Sequence, residues 1–152
     1  MTASVSFFIR HLCFTGPGKT NAVIEFDNGL NVIFGASETG KSFILEAIDF
    51  MLGARPPLRD IPERVGYDRI FLGIEFSGKK LFTLVRATTG GHFQLFDGLH
   101  QSIPNLEPMI LKDRHNAKKD DNLSAFLLQR IGLPDKKVRV KANLTTENLT
   151  FR

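Results

Sequence analysis

A glycine-bounded loop between a strand-like segment and a helix-like segment constrains this chain most. Residues 30–34 read Leu-Asn-Val-Ile-Phe, and residues 35–42 read Gly-Ala-Ser-Glu-Thr-Gly-Lys-Ser. The octapeptide fits G-x-x-x-x-G-K-[ST], the phosphate-binding P-loop, and it is followed by apolar residues at helical spacing. A P-loop needs that context, with a strand before it and a helix after it. The sequence therefore predicts a nucleotide-phosphate site at residues 35–42.

Each residue type in the loop has a physical reason. Gly35 and Gly40 can adopt backbone angles that a Cβ forbids, so the loop can turn its N–H groups toward an anion. The helix that begins near Lys41 presents its positive dipole end to the same phosphates. Lys41 can reach the β- and γ-phosphates, and the Ser42 hydroxyl can complete a Mg²⁺ shell made mostly of phosphate and water.

We therefore predict ATP and Mg²⁺ as cofactors, with Ser42 as the metal ligand. No residue is predicted to be catalytic. The predicted nucleotide-binding residues are the loop and the residue after it: Gly35, Ala36, Ser37, Glu38, Thr39, Gly40, Lys41, Ser42 and Phe43.

Length and composition favour a single globular domain, residues 1–152, with 42% hydrophobic and 24% charged residues. The net charge of +4 permits a polyanionic partner such as DNA but does not require one. The lone cysteine, Cys13, excludes an internal disulfide. No apolar run approaches the roughly 20 residues that span a membrane. We expect a cytoplasmic protein without a membrane partner.

The hydrophobic patterns predict strands on both sides of the loop and two helices. A turn signal at 27–29 predicts a hairpin between strands 22–26 and 30–34, and the apolar character of 30–34 is typical of a strand covered on both faces. The region 97–152 is less regular, and its charged run 112–121 suggests a solvated loop. The remaining predicted elements are a strand at 5–12, a helix from 41 ending at Gly53, an antiparallel meander at 70–76, 81–85 and 92–96, and a helix at 123–131.

Several of these segments together resemble the N-terminal lobe of the SMC, Rad50, RecN and RecF group of ATPase heads. The resemblance covers residues 5–96 best. It implies an α/β fold of the P-loop NTPase class, an ABC-type lobe with mixed and antiparallel strands packed around the P-loop helix. The residues that carry it are 24–35 (Ile-Glu-Phe-Asp-Asn-Gly-Leu-Asn-Val-Ile-Phe-Gly), Thr39-Gly40-Lys41-Ser42, Leu45-Glu46-Ala47-Ile48, Leu52-Gly53, Ile74-Glu75-Phe76 and Leu84-Val85-Arg86.

The resemblance also implies what this chain lacks. Family members hydrolyse ATP with a Walker B aspartate and following glutamate, a Leu-Ser-Gly-Gly-type signature and a switch histidine, all in a C-terminal lobe, and the sequence contains none of them. The implied partners are that missing lobe, a second head and DNA, in a process such as DNA repair or chromosome organisation. Alone, the chain is expected to bind nucleotide without hydrolysing it. The family has Asn-Gly where this chain has Ser37-Glu38, and the Glu38 carboxylate is expected to weaken affinity.

The residues are also compatible with two other classes of function. A compact P-loop kinase or nucleotidase would use Glu75 or one of the aspartates at 113, 120 and 121 to hold the metal. A non-hydrolysing interaction module would use nucleotide only to order the loop. Basic residues at 136, 137, 139 and 141 are candidates for DNA contacts. Arg10 and Lys19 are the candidates for a basic residue beside the nucleotide.

Overall fold

Six strands form one sheet in a computed structural model that describes residues 6–36, 40–116, 118–133, 137–139 and 146–151. The strand order is β2-β1-β3-β4-β5-β6, and every pair of neighbours is antiparallel. A separate two-stranded sheet pairs β7 with β8. The strands are β1 (Phe7–Thr15), β2 (Ala22–Glu25), β3 (Arg69–Phe76), β4 (Lys80–Ala87), β5 (Gly90–Asp97), β6 (Met109–Leu111), β7 (Lys137–Arg139) and β8 (Thr146–Asn148).

The two predicted helices are confirmed. α1 spans Lys41–Met51, and α2 spans Leu123–Arg130. The chain leaves α1 through Gly53, whose φ of 100° favours glycine. α2 starts at Asn122, where the side-chain Oδ1 accepts a 2.9 Å hydrogen bond from the Ala125 amide. Within the described residues, neither helix is long and apolar enough to cross a membrane.

The main core lies between one face of the sheet and both helices. Alternate residues of β1, β3, β4 and β5 point to this face, as the two-residue period of a strand requires. The buried side chains of this core are Leu12, Ile70, Leu72, Ile74, Phe76, Phe82, Leu84, Phe93 and Leu95 from the sheet, Phe43, Ala47, Phe50 and Met51 from α1, Leu123, Phe126 and Leu127 from α2, and Leu58 and Leu111.

The opposite face of the sheet buries a smaller cluster: Cys13, Phe71, Val85 and Phe96. Residues 98–101, here called the strap, cross this face and are hydrogen-bonded to it. Thr83 Oγ1 donates to the Gly98 carbonyl at 2.7 Å and accepts from the His100 amide at 2.9 Å. The ring of His11, on β1, lies 3.0 Å from the His100 carbonyl through Nε2. The strap therefore joins the β4–β5 end of the sheet to β1.

The predicted meander is confirmed as β3, β4 and β5. β3 pairs with β4 over eight residues in unbroken register, from Arg69 opposite Ala87 to Phe76 opposite Lys80. All named strand pairs of the described chain are antiparallel, so the expected mixed sheet is not found there. The parallel contact is an isolated bridge between Lys112 and Asn122.

The prediction of a buried strand at 30–34 is wrong. The turn at 27–29 forms, and the Asn31 side chain returns to Asp27, accepting from its amide and donating to its carbonyl, both at 2.9 Å. β2, however, pairs with β1, and residues 30–35 form no strand. Leu30 and Phe34 are 91% and 89% exposed. A strand buried on both faces needs neighbours on both sides, and the described residues supply none for this segment.

The region after β5 is more ordered than the charge pattern predicts. β6 extends the sheet by one short strand that the sequence did not reveal. In the described part of the loop 112–122, the buried side-chain amide of Asn122 donates to the carbonyls of Asn116 and Lys119 at 3.2 and 2.7 Å. A single buried asparagine thus organises this loop and begins α2.

Candidate functional site

The N-terminus of α1 forms the first wall of the candidate site. Gly40 occupies the N-cap with φ 81° and ψ 5°, a left-handed conformation that favours glycine, and no side chain among the described residues caps the helix there. The first helical hydrogen bond runs from the Ile44 amide to the Gly40 carbonyl at 3.1 Å. The amides before Ile44 have no acceptor within the helix, so this end favours an anion. The first turn of α1 contains no acidic residue that would oppose one.

Lys41 closes the loop that precedes the helix. Its ammonium donates to the Gly35 carbonyl at 2.9 Å and also to the Ala36 carbonyl. The Lys41 side chain therefore lies across the start of the loop, where it can contact the same ligand as the helix amides. Ser37, Glu38 and Thr39 were predicted to bind nucleotide and lie outside the described residues.

Ser42 and Phe43 have different surroundings. Ser42 is exposed at the second position of α1, next to Lys41, so its hydroxyl is free of the core and can face a ligand. The Phe43 side chain is buried and packs on Phe14, with ring centroids 5.7 Å apart. Phe43 can therefore contribute its backbone amide to an anion but not its side chain.

A cavity of about 940 Å³ opens beside this helix end. Its volume lies within the range of small-molecule sites. Gly40, Lys41 and Ser42 line one side, and the hairpin of β1 and β2 lines another. The loop after α1 completes the cavity with Arg59, Ile61, Glu63, Arg64 and Tyr67. The N-terminus of α1 and Lys41 thus line a cavity that is partly open to solvent.

The charged residues of that loop were not singled out from the sequence. Arg59 pairs with Glu46 of α1 at 3.2 Å. Arg64 pairs with Asp60 at 3.2 Å and donates to the Leu58 carbonyl at 2.9 Å. These contacts attach the loop to α1 and to itself, so that it forms a wall of the cavity. A proline-rich segment with three arginines, residues 55–67, after a P-loop helix was the available signal.

The two basic residues proposed to lie near the nucleotide differ in position. Arg10 pairs with Glu75 at 3.0 Å and donates to the Asn28 side chain at 2.7 Å, and it does not line the cavity. The Lys19 ammonium lies 5.5 Å from the centroid of the Tyr67 ring. Because Tyr67 lines the cavity, Lys19 is the nearer of the two.

The carboxylates weighed for a kinase-like metal site lie elsewhere. Glu75 pairs with Arg10 on β3, Asp113 lies 3.2 Å from His92, and Asp121 lies 2.5 Å from Lys112. Within the described part of the chain, Glu63 is the carboxylate that lines the cavity. No group of three histidine, cysteine, aspartate or glutamate side chains is placed to hold a metal ion among the described residues.

Two groups with shifted pKa values, His11 and Cys13, lie on the strap side of the sheet and not at the cavity. Burial lowers the pKa of His11, and the hydrogen bond to the His100 carbonyl opposes that shift. Burial raises the pKa of the Cys13 thiol to about 11. Both groups are therefore held in their neutral forms near neutral pH. Their role is packing of the second face, and they take no part in the cavity.

Exposed apolar side chains lie in the segment before the loop and on α1. Leu30, Val32 and Phe34 precede the loop, and Leu45 projects from α1 with 66% of its surface exposed. Single exposed apolar residues are ordinary, but several in one region mark an interaction surface. We call these four residues the apolar rim.

Comparison with known proteins adds two findings. A family model described as an AAA domain matches residues 12–125, about three quarters of the chain. The match contains the loop 35–42, α1 and the meander. Separately, 52 residues are 42% identical to the DNA repair protein RecN of Aquifex aeolicus (strain VF5). That alignment covers 34% of this chain and 9% of RecN, so the chain matches a small part of that protein.

Proposed function

Because this chain belongs to the AAA domain family of SMC/Rad50-like ATPases, we propose that it binds ATP with Mg²⁺ at residues 35–43. The observation that supports this most is the position of Lys41. Its ammonium bridges the carbonyls of Gly35 and Ala36 directly beside the N-terminus of α1. A cation and helix amides that meet at one cavity are the groups that a triphosphate requires.

Binding would exchange the present partners of Lys41 for phosphate oxygens. A carbonyl carries a partial charge, whereas a phosphate oxygen carries a larger one, and charge-assisted hydrogen bonds are the stronger kind. The helix dipole favours the same anion. The apolar walls of the cavity, including Phe14 and Ile24, would exclude water from the rest of the nucleotide.

The residues present fit a magnesium ion bound together with nucleotide. Mg²⁺ takes one or two protein oxygens and completes its shell with phosphate and water. The exposed Ser42 hydroxyl lies one residue from Lys41, so a single protein ligand is at hand. The ion would neutralise phosphate charge, and the hydroxyl would fix its position.

Isothermal titration calorimetry tests the proposal. We expect ATP·Mg²⁺ to bind the wild-type chain, and Lys41→Ala to weaken binding at least tenfold, since roughly 1.5–3 kcal/mol of charge-assisted hydrogen bonding is lost. Lys80→Ala is the matched control, because Lys80 is an exposed lysine at the start of β4 and does not line the cavity. Equal affinities for the wild type and Lys41→Ala would refute the site.

Hydrolysis would need groups that this sequence does not contain. Phosphoryl transfer depends on positioning and on stabilising charge at the γ-phosphate, and the chain carries no Walker B, signature or switch motif. We therefore propose that a C-terminal lobe and a second head supply them, and that closure of two heads drives DNA-related work. Phosphate release by the purified chain that is lost in Lys41→Ala would contradict this division of labour.

The apolar rim is the proposed docking surface for that C-terminal lobe. The exposed segment 30–34 has the composition of a central strand, and a lobe that pairs with it would cover Leu30 and Phe34. Adding the lobe as a separate chain should slow amide exchange at 30–34. In a Leu30→Ser/Phe34→Ser variant this protection should be lost while the exchange of β3 and β4 stays unchanged. No protection in the wild type would contradict the assignment.

Direct DNA contact remains a proposal that rests on sequence. The basic residues at 136, 137, 139 and 141 flank or form β7, and of these the structure describes the side chain of Lys137, which is exposed. Fluorescence anisotropy at low salt, compared with a variant carrying alanine at all four positions, tests the contact. Equal affinity of the two proteins for DNA would remove it.

A further inference from the structure

A buried arginine holds the far end of the helix whose N-terminus faces the cavity. Arg86 lies on β4 and is 6% exposed. The central carbon of its guanidinium group lies 4.1 Å from the centroid of the Phe50 ring on α1 and 4.4 Å from that of Phe93 on β5. Nη1 donates to the Phe50 carbonyl at 2.9 Å, and Nε donates to the Gly91 carbonyl at 2.9 Å.

The surroundings of Arg86 are unusual for a buried charge. Buried cations normally pair with a carboxylate, whereas Arg86 donates to two backbone carbonyls. Burial lowers the pKa of Arg86, and the more distant Asp113 opposes that shift. Because an arginine stays protonated in proteins, the negative end of α1, where the Phe50 carbonyl lies, compensates its charge.

The other end of α1 is attached to the sheet by packing of the buried Phe43 ring on Phe14 of β1. In most P-loop arrangements a strand leads into the loop, but residues 30–36 form no strand here. The direction of α1 is therefore set by its buried face and by contacts near its C-terminus. α1 has 11 residues and is about 16 Å long, so a tilt of about 5° at Phe50 would move its first turn by about 1.4 Å.

We propose that Arg86 is a positioning residue for phosphate binding: by fixing the C-terminus of α1 to β4 and β5, it sets where the first amides of α1 and Lys41 point. The inference rests on the proposed nucleotide site. It extends that site to a residue at the opposite end of the helix, which touches no ligand. A displacement of the binding groups by about 1 Å is enough to weaken their contacts with a ligand severely.

Two variants separate positioning from simple packing. Arg86→Met keeps an unbranched apolar stem between the two rings and removes the charge and both hydrogen bonds. Arg86→Lys keeps the charge but lacks the planar group that stacks and donates in two directions. Arg130→Met is the matched control, because the Arg130 guanidinium lies 5.1 and 5.2 Å from the rings of Phe82 and Phe126, away from α1.

The measurements are ATP·Mg²⁺ affinity by calorimetry, thermal unfolding, and hydrogen exchange at the amides of residues 41–44. We expect Arg86→Met to lower affinity about tenfold and to speed exchange at 41–44, because the helix amides lose their fixed direction. Arg86→Lys should show a smaller loss of affinity. Arg130→Met should lower the unfolding temperature but leave affinity within about twofold of the wild type, since α2 does not reach the site.

These outcomes distinguish a failure of the Arg86 inference from a failure of the proposed nucleotide site. If Arg86→Met lowers the unfolding temperature while affinity and exchange at 41–44 match Arg130→Met, Arg86 is a packing residue and the inference is wrong. If Arg86→Met fails to fold, the comparison of Arg86→Lys with Arg130→Met in affinity and in exchange at 41–44 decides instead. If the wild type binds no ATP, the proposed function fails. Exchange at 41–44 still decides whether Arg86 fixes the helix.

Discussion

Gly73 provides a sharp test of how β1, β3 and the strap are packed. A Cβ added at Gly73 would lie 2.4 Å from His11 Nδ1, 2.5 Å from His11 Cε1 and 3.0 Å from Leu99 Cδ2. Carbon atoms in contact are normally about 3.5–4.0 Å apart, so the His11 ring would have to move by about 1 Å. That ring is 4% exposed and held by the His100 carbonyl, so it has little space in which to move.

The expected cost of Gly73→Ala is about 1–3 kcal/mol, the range for overpacking a buried site. In a domain of this size, a loss of about 2 kcal/mol in the free energy of unfolding lowers the unfolding temperature by about 4–8 °C. Urea denaturation of Gly73→Ala, His11→Ala and the double variant measures it. Removing the ring should relieve the clash, so His11→Ala should cost less in the Gly73→Ala background than in the wild type.

The pair of residues therefore forms a double-mutant cycle with an expected coupling of about 1–2 kcal/mol. Two results would refute the packing. One is a Gly73→Ala protein within about 0.5 kcal/mol of the wild type, and the other is strict additivity of the two substitutions, because residues that do not touch behave additively.

Three further predictions concern single side chains. Since burial raises the pKa of Cys13 to about 11, native Cys13 should carry about 100-fold less thiolate at pH 8 than the unfolded chain. Alkylation should be correspondingly slow, and equal rates with and without urea would contradict the burial. Burial lowers the pKa of His11, so the unfolded state takes up a proton before the native state does as the pH falls through about 6.5. The free energy of unfolding should therefore decrease as the pH falls through that range, and His11→Gln should reduce this decrease. Parallel pH profiles of the free energy of unfolding for the two proteins would contradict the prediction. Asn122→Ala should cost about 1–3 kcal/mol, since it removes the cap of α2 and the side-chain amide that donates to the Asn116 and Lys119 carbonyls. Asn122→Asp, which keeps the acceptor, should cost less in urea denaturation, and an equal cost would show that the cap does not contribute.

Elements with local signals could be predicted from the sequence. α1 follows from apolar residues at helical spacing and from a glycine at its end, and the structure confirms it as Lys41–Met51. The meander follows from short β-rich runs separated by glycine turns. The family resemblance is also confirmed, by a match that spans residues 12–125. Each of these signals lies within a few residues of the element that it specifies.

What the sequence could not give depends on contacts between distant residues. The apolar run at 30–34 has the pattern of a buried strand, but burial requires neighbours that the described chain does not supply. The strap depends on pairs such as His11 with His100, separated by 89 residues. The position of Arg86 depends on the same kind of contact, since its partner Phe50 lies 36 residues away. Periodicity does not encode such pairings.

The candidate site divides in the same way. The loop motif identified Gly35, Gly40, Lys41 and Ser42, and the structure brings these residues together at one end of α1. It did not identify the second wall of the cavity, where Arg59, Arg64 and Tyr67 come from a proline-rich loop that contains a 3₁₀ helix at Pro62–Arg64. A loop of that kind is placed by its side-chain contacts, and those cannot be read from spacing.

The central claim is that backbone amides at the mouth of α1 and the Lys41 ammonium together hold a triphosphate. A titration of the ¹⁵N-labelled chain with ATP·Mg²⁺, followed by amide chemical shifts, tests it most directly. We predict that the amides of residues 40–43 show the largest shifts, that they saturate together, and that Lys41→Ala abolishes them. Saturable shifts confined to other residues, or shifts at 40–43 that persist unchanged in Lys41→Ala, would contradict the account.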